Sequence, residues 1–102
     1  MELALIHHLD EIAVLCRRFG VARMDAFGSA VTGEFDPGRS DVDLVIDFLP
    51  EARAHAFDNY FGLHEALERL FGRPVDLMTA SAIRNPYLRR AIESTRTRLY
   101  GS

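Results

Sequence analysis

The amino-acid sequence lacks lysine and tryptophan, and all twelve of its basic residues are arginine. The absence of lysine excludes a P-loop lysine, a Schiff-base lysine and a lysine that carries a covalent nucleotide. If this chain acts on nucleotides, it must therefore use carboxylates, metal ions, backbone amides and arginine.

Cysteine is nearly absent too, since Cys16 is the only one. A disulfide within the chain is therefore excluded. The spacing of Leu5, Leu9, Ile12 and Phe19 places Cys16 with them on the apolar face of a helix, and a free cysteine there is expected to pack in the core.

Long apolar runs are missing, because none approaches the roughly 20 residues that a membrane-spanning helix needs. The first residues lack the basic start of a signal peptide, so we expect a cytoplasmic protein with no membrane contact. The net charge of -3 argues against stable binding to nucleic acid. A length of 102 residues with 48% hydrophobic content fits one folded domain over 1–102.

Apolar periodicity predicts helices over 2–18, 52–71 and 86–94, and strands over 21–27, 41–48, 74–78 and 99–100. A loop or short helical turn is expected over 28–40. The apolar stripe of the second helix comprises Phe57, Tyr60, Leu63, Leu67, Leu70 and Phe71. This order of elements predicts an α+β fold, a small mixed sheet covered on one side by helices, with the aspartates on the uncovered side.

Three aspartates on two predicted strands are candidates for chemistry. Asp41 and Asp43 are two residues apart on one strand and point the same way, about 6.7 Å apart along the chain. Asp76, on another strand, can face the same side. Converging carboxylates favour Mg²⁺, and three of them meet the requirement of a two-metal site with ions about 3.5–4 Å apart. The alternative is a solvated strand face, the reading that also suits Asp47.

The pair Gly28-Ser29 directly follows an apolar strand. A turn at this place presents free backbone amides and a hydroxyl, which can hold the terminal phosphates of a nucleotide. A glycine-serine pair alone is weak evidence, and the order of strand, Gly28-Ser29, eleven residues and Asp41-x-Asp43 carries more weight.

The segment Phe27-Gly28-Ser29-(x)11-Asp41-Val42-Asp43 followed by Leu-Val-Ile resembles the signature of the DNA-polymerase-beta-like nucleotidyltransferase superfamily. The whole chain is similar to its minimal nucleotidyltransferases, the MntA-type antitoxins that are paired with HEPN-domain toxins. The similarity runs from the first helix through the segment around Asp76 to residues 99–100.

This resemblance implies a polymerase-beta-like fold and a catalytic core that uses ATP and two Mg²⁺ ions. It implies that Gly28 and Ser29 hold the β- and γ-phosphates and that Asp41 and Asp43 ligate both metals. Asp76 would ligate the catalytic metal and position or deprotonate the acceptor hydroxyl. In the related antitoxins the acceptor is a tyrosine of the cognate HEPN toxin, and AMPylation there silences its RNase activity.

One position departs from the pattern of the relatives, which carry arginine in the turn after Gly-Ser where this chain has Thr32. Arg39, two residues before Asp41, could replace that cationic contact, and a solvated loop arginine is the alternative.

The C-terminal stretch of the sequence is positively charged. We expect its arginines to lie on a solvated helix face, and a docking surface for an acidic partner is the alternative. Its arginines are Arg84, Arg89, Arg90, Arg96 and Arg98.

The leading functional hypothesis is an antitoxin that transfers AMP from ATP to a tyrosine of a HEPN toxin. One alternative is a non-catalytic antitoxin that binds its toxin on the same fold. Another is nucleotidyl transfer to a small molecule, which the short chain disfavours because no further segment is available to form a second pocket. The sequence leaves open whether the chain pairs with itself.

Overall fold

The computed structural model describes residues 7–28 and 42–101. Within them lie helices α1 (Leu9–Arg18), α2 (Ala56–Phe71) and α3 (Pro86–Thr95) and strands β1 (Val21–Phe27), β2 (Val42–Phe48), β3 (Val75–Thr79) and β4 (Thr97–Tyr100). Short 3₁₀ helices precede α2 at Pro50–His55 and follow β3 at Ala80–Ala82.

The four strands form one mixed sheet in the order β3-β2-β1-β4. β1 pairs antiparallel with both β2 and β4, whereas β2 and β3 run parallel. Strand alternation gives the sheet two different faces. The sequence therefore predicted the mixed sheet correctly, while the strand order follows only from the structure.

The larger core lies between α1, α2 and one face of the sheet. Its fully buried members include Ile12 and Cys16 from α1 and Leu63 and Leu67 from α2, packed against Leu44. These helical residues belong to the stripes that the periodicity predicted. The placement of Cys16 in the core is confirmed.

The opposite face, which carries the aspartates, is partly covered as well. Ile92 of α3 packs there with Phe27 and Val45 in a second, smaller core cluster. Helices α1 and α2 thus cover one face, as expected, and α3 covers part of the face that was expected to be uncovered.

Two details of α2 differ from the sequence prediction. The helix begins at Ala56 rather than at residue 52, because the chain after Pro50 first forms a 3₁₀ helix. Phe57 was placed in the apolar stripe, but 75% of its surface is exposed, since it is Ala56 in the same turn that packs against the larger core. Within residues 7–28 and 42–101, every helix is too short or too polar to span a lipid bilayer.

Candidate functional site

The structure brings two of the three predicted carboxylates together. Asp43 on β2 and Asp76 on β3 are register partners in the parallel pair, so their Cα atoms belong to neighbouring strands about 4.8 Å apart. Both side chains lie on the face opposite the α1–α2 core, because their neighbours Leu44 and Leu77 point into that core. Asp43 is partly buried, whereas Asp76 is exposed and can be reached from solvent.

The end of β1 adjoins this pair. Phe27 is the register partner of Asp43, and Gly28 follows it with a φ of +68°. A Cβ atom at Gly28 would lie only 2.9 Å from Oδ2 of Asp43, closer than real Cβ contacts allow. The site thus needs glycine here for two reasons, the left-handed backbone and the close approach of a carboxylate.

The Gly28 amide is not free, contrary to the expectation for the turn. It donates a hydrogen bond of 2.8 Å to Oγ1 of Thr95, at the C-terminal end of α3. The expectation failed because Thr95 lies 67 residues away and no local pattern links the two positions.

A divalent cation fits the chemistry of the carboxylate pair. Two neighbouring carboxylates repel each other, and a hard cation with oxygen ligands relieves that repulsion. Among the described residues, no group of three His, Cys, Asp or Glu side chains could hold a metal ion. Asp41, the third predicted ligand, lies outside the described residues, as do Ser29, Thr32 and Arg39.

One face of α2 holds the backbone on both sides of Asp76. Glu68 accepts a hydrogen bond of 2.9 Å from the Val75 amide, and Nε2 of His64 donates one of 2.9 Å to the Val75 carbonyl. The Tyr60 hydroxyl donates to the carbonyl of Leu77. Burial and, to a smaller degree, the negative charge of Asp76 raise the pKa of Tyr60. These three side chains recur every four residues, so a single stripe of α2 fixes the edge strand β3.

A buried carboxylate that the sequence analysis missed lies on β1. Asp25 is 1% exposed and accepts hydrogen bonds from the Nε atoms of Arg96 and Arg98. The hydrogen bond to Asp25 is the main cause that raises the pKa of Arg96. These two arginines were expected on a solvated helix face. They are in part exposed, but Arg96 is the C-cap residue of α3, Arg98 lies on β4, and both bond to this buried carboxylate. The available signal was one acidic residue inside the segment 21–27, whose only other charged residue is Arg23.

Asp47 lies on the same face of β2 as Asp43 but has its own partner. Nη2 of Arg23 donates a hydrogen bond of 2.7 Å to Oδ2 of Asp47. Asp47 thus has a structural partner on a partly exposed strand face, and a substitution there serves as a control for the carboxylates of the site.

A separate cleft of about 540 Å³ lies at the far end of β2, between Phe48 and the start of α2. Phe57 and Phe61 form its aromatic rim, with ring centroids 4.7 Å apart. Gly28, Asp43 and Asp76 are not among its lining residues. The cleft is therefore distinct from the carboxylate pair.

Comparison with known proteins places these features in a family. Residues 12–99 match the sequence model of the nucleotidyltransferase domain. A predicted protein adenylyltransferase of Methanocaldococcus jannaschii is 36% identical over 80 residues, which are 78% of this chain and 78% of the relative. The protein adenylyltransferase MntA of Thermococcus cleftensis is 35% identical over 85 residues, covering 83% of this chain and 79% of the relative.

Solved structures share the fold. A predicted minimal nucleotidyltransferase superposes with a TM-score of 0.77 at 30% identity, with 95% of both chains covered. A chain from the complex of the tri-AMPylated Shewanella oneidensis HEPN toxin with its MNT antitoxin gives a TM-score of 0.64 at 16% identity, covering 96% of this chain and 73% of that chain. The second likeness concerns the fold alone. Together with the sequence match over 12–99, these similarities show that the chain belongs to the nucleotidyltransferase family, among its minimal, MntA-type members.

Proposed function

We propose that this nucleotidyltransferase is an antitoxin that transfers AMP from ATP to a tyrosine hydroxyl of a cognate HEPN-domain toxin. The observation that carries the proposal is the register pairing of Asp43 and Asp76 beside the Gly28 turn. The curated relatives named as protein adenylyltransferases, and the AMPylated toxin in the Shewanella complex, favour a protein acceptor.

The reaction assigns separate tasks to the residues of this site. Asp43 and Asp76, with Asp41 as the predicted third ligand, would hold Mg²⁺. When bound, Mg²⁺ supplies positive charge that neutralises the triphosphate. Gly28 allows the turn to approach Asp43 closely, and Ser29 and Arg39 are the predicted contacts to the phosphates.

Asp76 is the carboxylate that would contact the tyrosine hydroxyl that accepts AMP. It is exposed, so a tyrosine presented by another protein can reach it without any opening of the fold. Its carboxylate orients the hydroxyl and accepts its proton as the oxygen attacks the α-phosphorus. The bond to the β-phosphate then breaks, and pyrophosphate leaves. Catalysis of this kind depends mainly on positioning and electrostatic stabilisation.

Intact mass spectrometry of the HEPN partner, incubated with this chain, ATP and Mg²⁺, tests the proposal. We expect a mass gain in steps of AMP. The variants Asp43→Asn and Asp76→Asn should each slow the gain by about 10²-fold or more, the order of loss when a preorganised charge contact is removed. Asp47→Asn is the matched control, because it removes a carboxylate of the same face that pairs with Arg23.

Two results would contradict the proposal. A stable complex without any mass gain would favour the non-catalytic binding antitoxin. Equal rates for the wild type and Asp76→Asn would show that the carboxylate pair does not perform the transfer.

A further inference from the structure

The Gly28 turn is held by the C-terminal part of the chain. Thr97 of β4 pairs with Ala26 of β1, and in the same antiparallel register Gly28 would face residue 95. At that point the backbone still belongs to α3, so no strand carbonyl is available. The hydroxyl of Thr95 takes its place and accepts the Gly28 amide.

The Thr95 hydroxyl is fixed in its own position by a second hydrogen bond. It donates to the carbonyl of Ala91, one helical turn earlier, at 3.1 Å. A threonine hydroxyl has one donor and can accept at its lone pairs, so both contacts are compatible. The orientation of the oxygen toward Gly28 is therefore defined by the helix.

The segment that carries Thr95 is anchored to β1 independently. Arg96 and Arg98 both bond to the buried carboxylate of Asp25, three residues before Gly28. These contacts hold the end of α3 and the start of β4 against the strand whose end forms the turn. The position of Thr95 relative to β1 is therefore fixed independently of its own hydrogen bond to Gly28.

We propose that Thr95 is a positioning residue for the nucleotide turn of this enzyme, an inference that rests on the assignment of Gly28-Ser29 to the nucleotide. Glycine has an intrinsically wide range of backbone conformations. The hydrogen bond to Thr95 and the carboxylate of Asp43 restrict Gly28 from two sides. Together they fix the backbone of Gly28 at the end of β1, and through Gly28 they would affect how the phosphates are bound.

The variants Thr95→Val and Thr95→Ser separate the hydroxyl from the shape of the side chain. Ser94→Ala is the matched control, because the Ser94 hydroxyl also donates to the Ala91 carbonyl, whereas the Gly28 amide is bonded to Thr95 instead. Cys16→Ala, in the core on the other face of the sheet, reports any effect of lower stability alone.

Two measurements on the full chain test the role. Hydrogen exchange of the Gly28 amide, followed by NMR, reports the hydrogen bond directly. Calorimetric titration with Mg²⁺ and a non-hydrolysable ATP analogue reports the affinity for the nucleotide. We expect Thr95→Val to accelerate the exchange by about tenfold and to weaken the affinity by at least about fivefold, the order expected when one hydrogen bond is lost.

Thr95→Ser should restore both quantities to within about twofold of the wild type, because a hydroxyl suffices for the bond. Faster exchange with unchanged affinity in Thr95→Val would overturn the inference, as would an equal loss of affinity in Ser94→Ala or Cys16→Ala. A wild-type chain that binds the analogue but transfers no AMP would contradict the proposed function alone, since the affinities still decide the role of Thr95. A wild-type chain that binds no nucleotide would overturn both.

Discussion

Gly28 at the end of β1 and the carboxylate of Asp43 on β2 lie so close together that a methyl group on Gly28 would stand 2.9 Å from Oδ2 of Asp43. The backbone at Gly28 is also left-handed, with a φ of +68°. The backbone conformation of Gly28 and the position of the Asp43 side chain are therefore coupled.

Gly28→Ala is expected to reduce AMP transfer by about tenfold or more, because the added methyl displaces Asp43 by an amount that positioning does not tolerate. Gly72→Ala is the matched control, since Gly72 has the same φ of +68° and, apart from its two chain neighbours, no heavy atom of the described residues lies within 4 Å of the place its methyl group would take. Both variants should lose about 1–2 kcal/mol of stability from the backbone alone. Urea unfolding and transfer rates measure the two effects, and equal rates in the two variants would contradict the coupling.

The contacts between α2 and β3 give a second prediction. Glu68→Ala leaves the Val75 amide without its acceptor, so the free energy of unfolding should fall by about 1–2 kcal/mol. Exchange of the Val75 amide should become faster, and transfer that depends on Asp76 should slow. Glu65→Ala is the control, because this exposed residue pairs with Arg69 on the surface, where an ion pair contributes less than about 1 kcal/mol. Equal losses of stability in both variants would contradict the prediction.

The fold should lose more stability when the two arginines that bond to Asp25 are removed than when Asp25 itself is made neutral. The side chains of Arg96 and Arg98 are 31% and 39% exposed and can turn to water, whereas the carboxylate is 1% exposed and cannot. Replacing both arginines by alanine leaves a buried charge without its ion-pair partners and should lower the free energy of unfolding by roughly 3–5 kcal/mol. Asp25→Asn leaves no buried charge and should cost about 1–3 kcal/mol. Urea denaturation measures both values, and a larger loss in Asp25→Asn would refute this asymmetry.

Alkaline pH should weaken the fold through Cys16. Burial, opposed slightly by Arg17, raises the pKa of this thiol from its ordinary value of 9.0 to about 12. The folded chain then holds a proton that the unfolded chain releases, so the contribution to stability is complete below pH 9 and is lost as the pH rises toward 12.

The unfolding free energy of the wild type should therefore fall between pH 9 and pH 11 more steeply than that of Cys16→Ala, by up to about 1.4 kcal/mol per pH unit. Comparing the two chains by urea unfolding at several pH values isolates the thiol from other groups such as Tyr60. Parallel pH profiles would show that Cys16 does not contribute.

The features that the sequence predicted correctly depend on short spacings. Alternation along β2 and β3 was sufficient to place Asp43 and Asp76 on one face of their strands. The helical period likewise identified Ile12, Cys16, Leu63 and Leu67 as core residues. Periodicity does not report which side chain of a first helical turn meets the core, so Phe57 was placed in the apolar stripe although Ala56 packs there and Phe57 is exposed.

The features that the sequence did not predict depend on distant pairs. The partners of Gly28 and Asp25 come from the end of α3 and from β4, and they become neighbours only because β4 returns beside β1. No local pattern specifies that return. The same limit applies to the parallel register that makes Asp43 and Asp76 direct neighbours.

The contact between Gly28 and Thr95 also has a consequence for biosynthesis. Residues that pair across 67 positions meet only after all of the intervening chain has been made. On the ribosome, a nascent chain that ends before Thr95 and Arg96 lacks the support of the turn, however well its first helix and strand have formed. If Thr95 positions the turn as proposed, the chain reaches its full affinity for a nucleotide only late in synthesis.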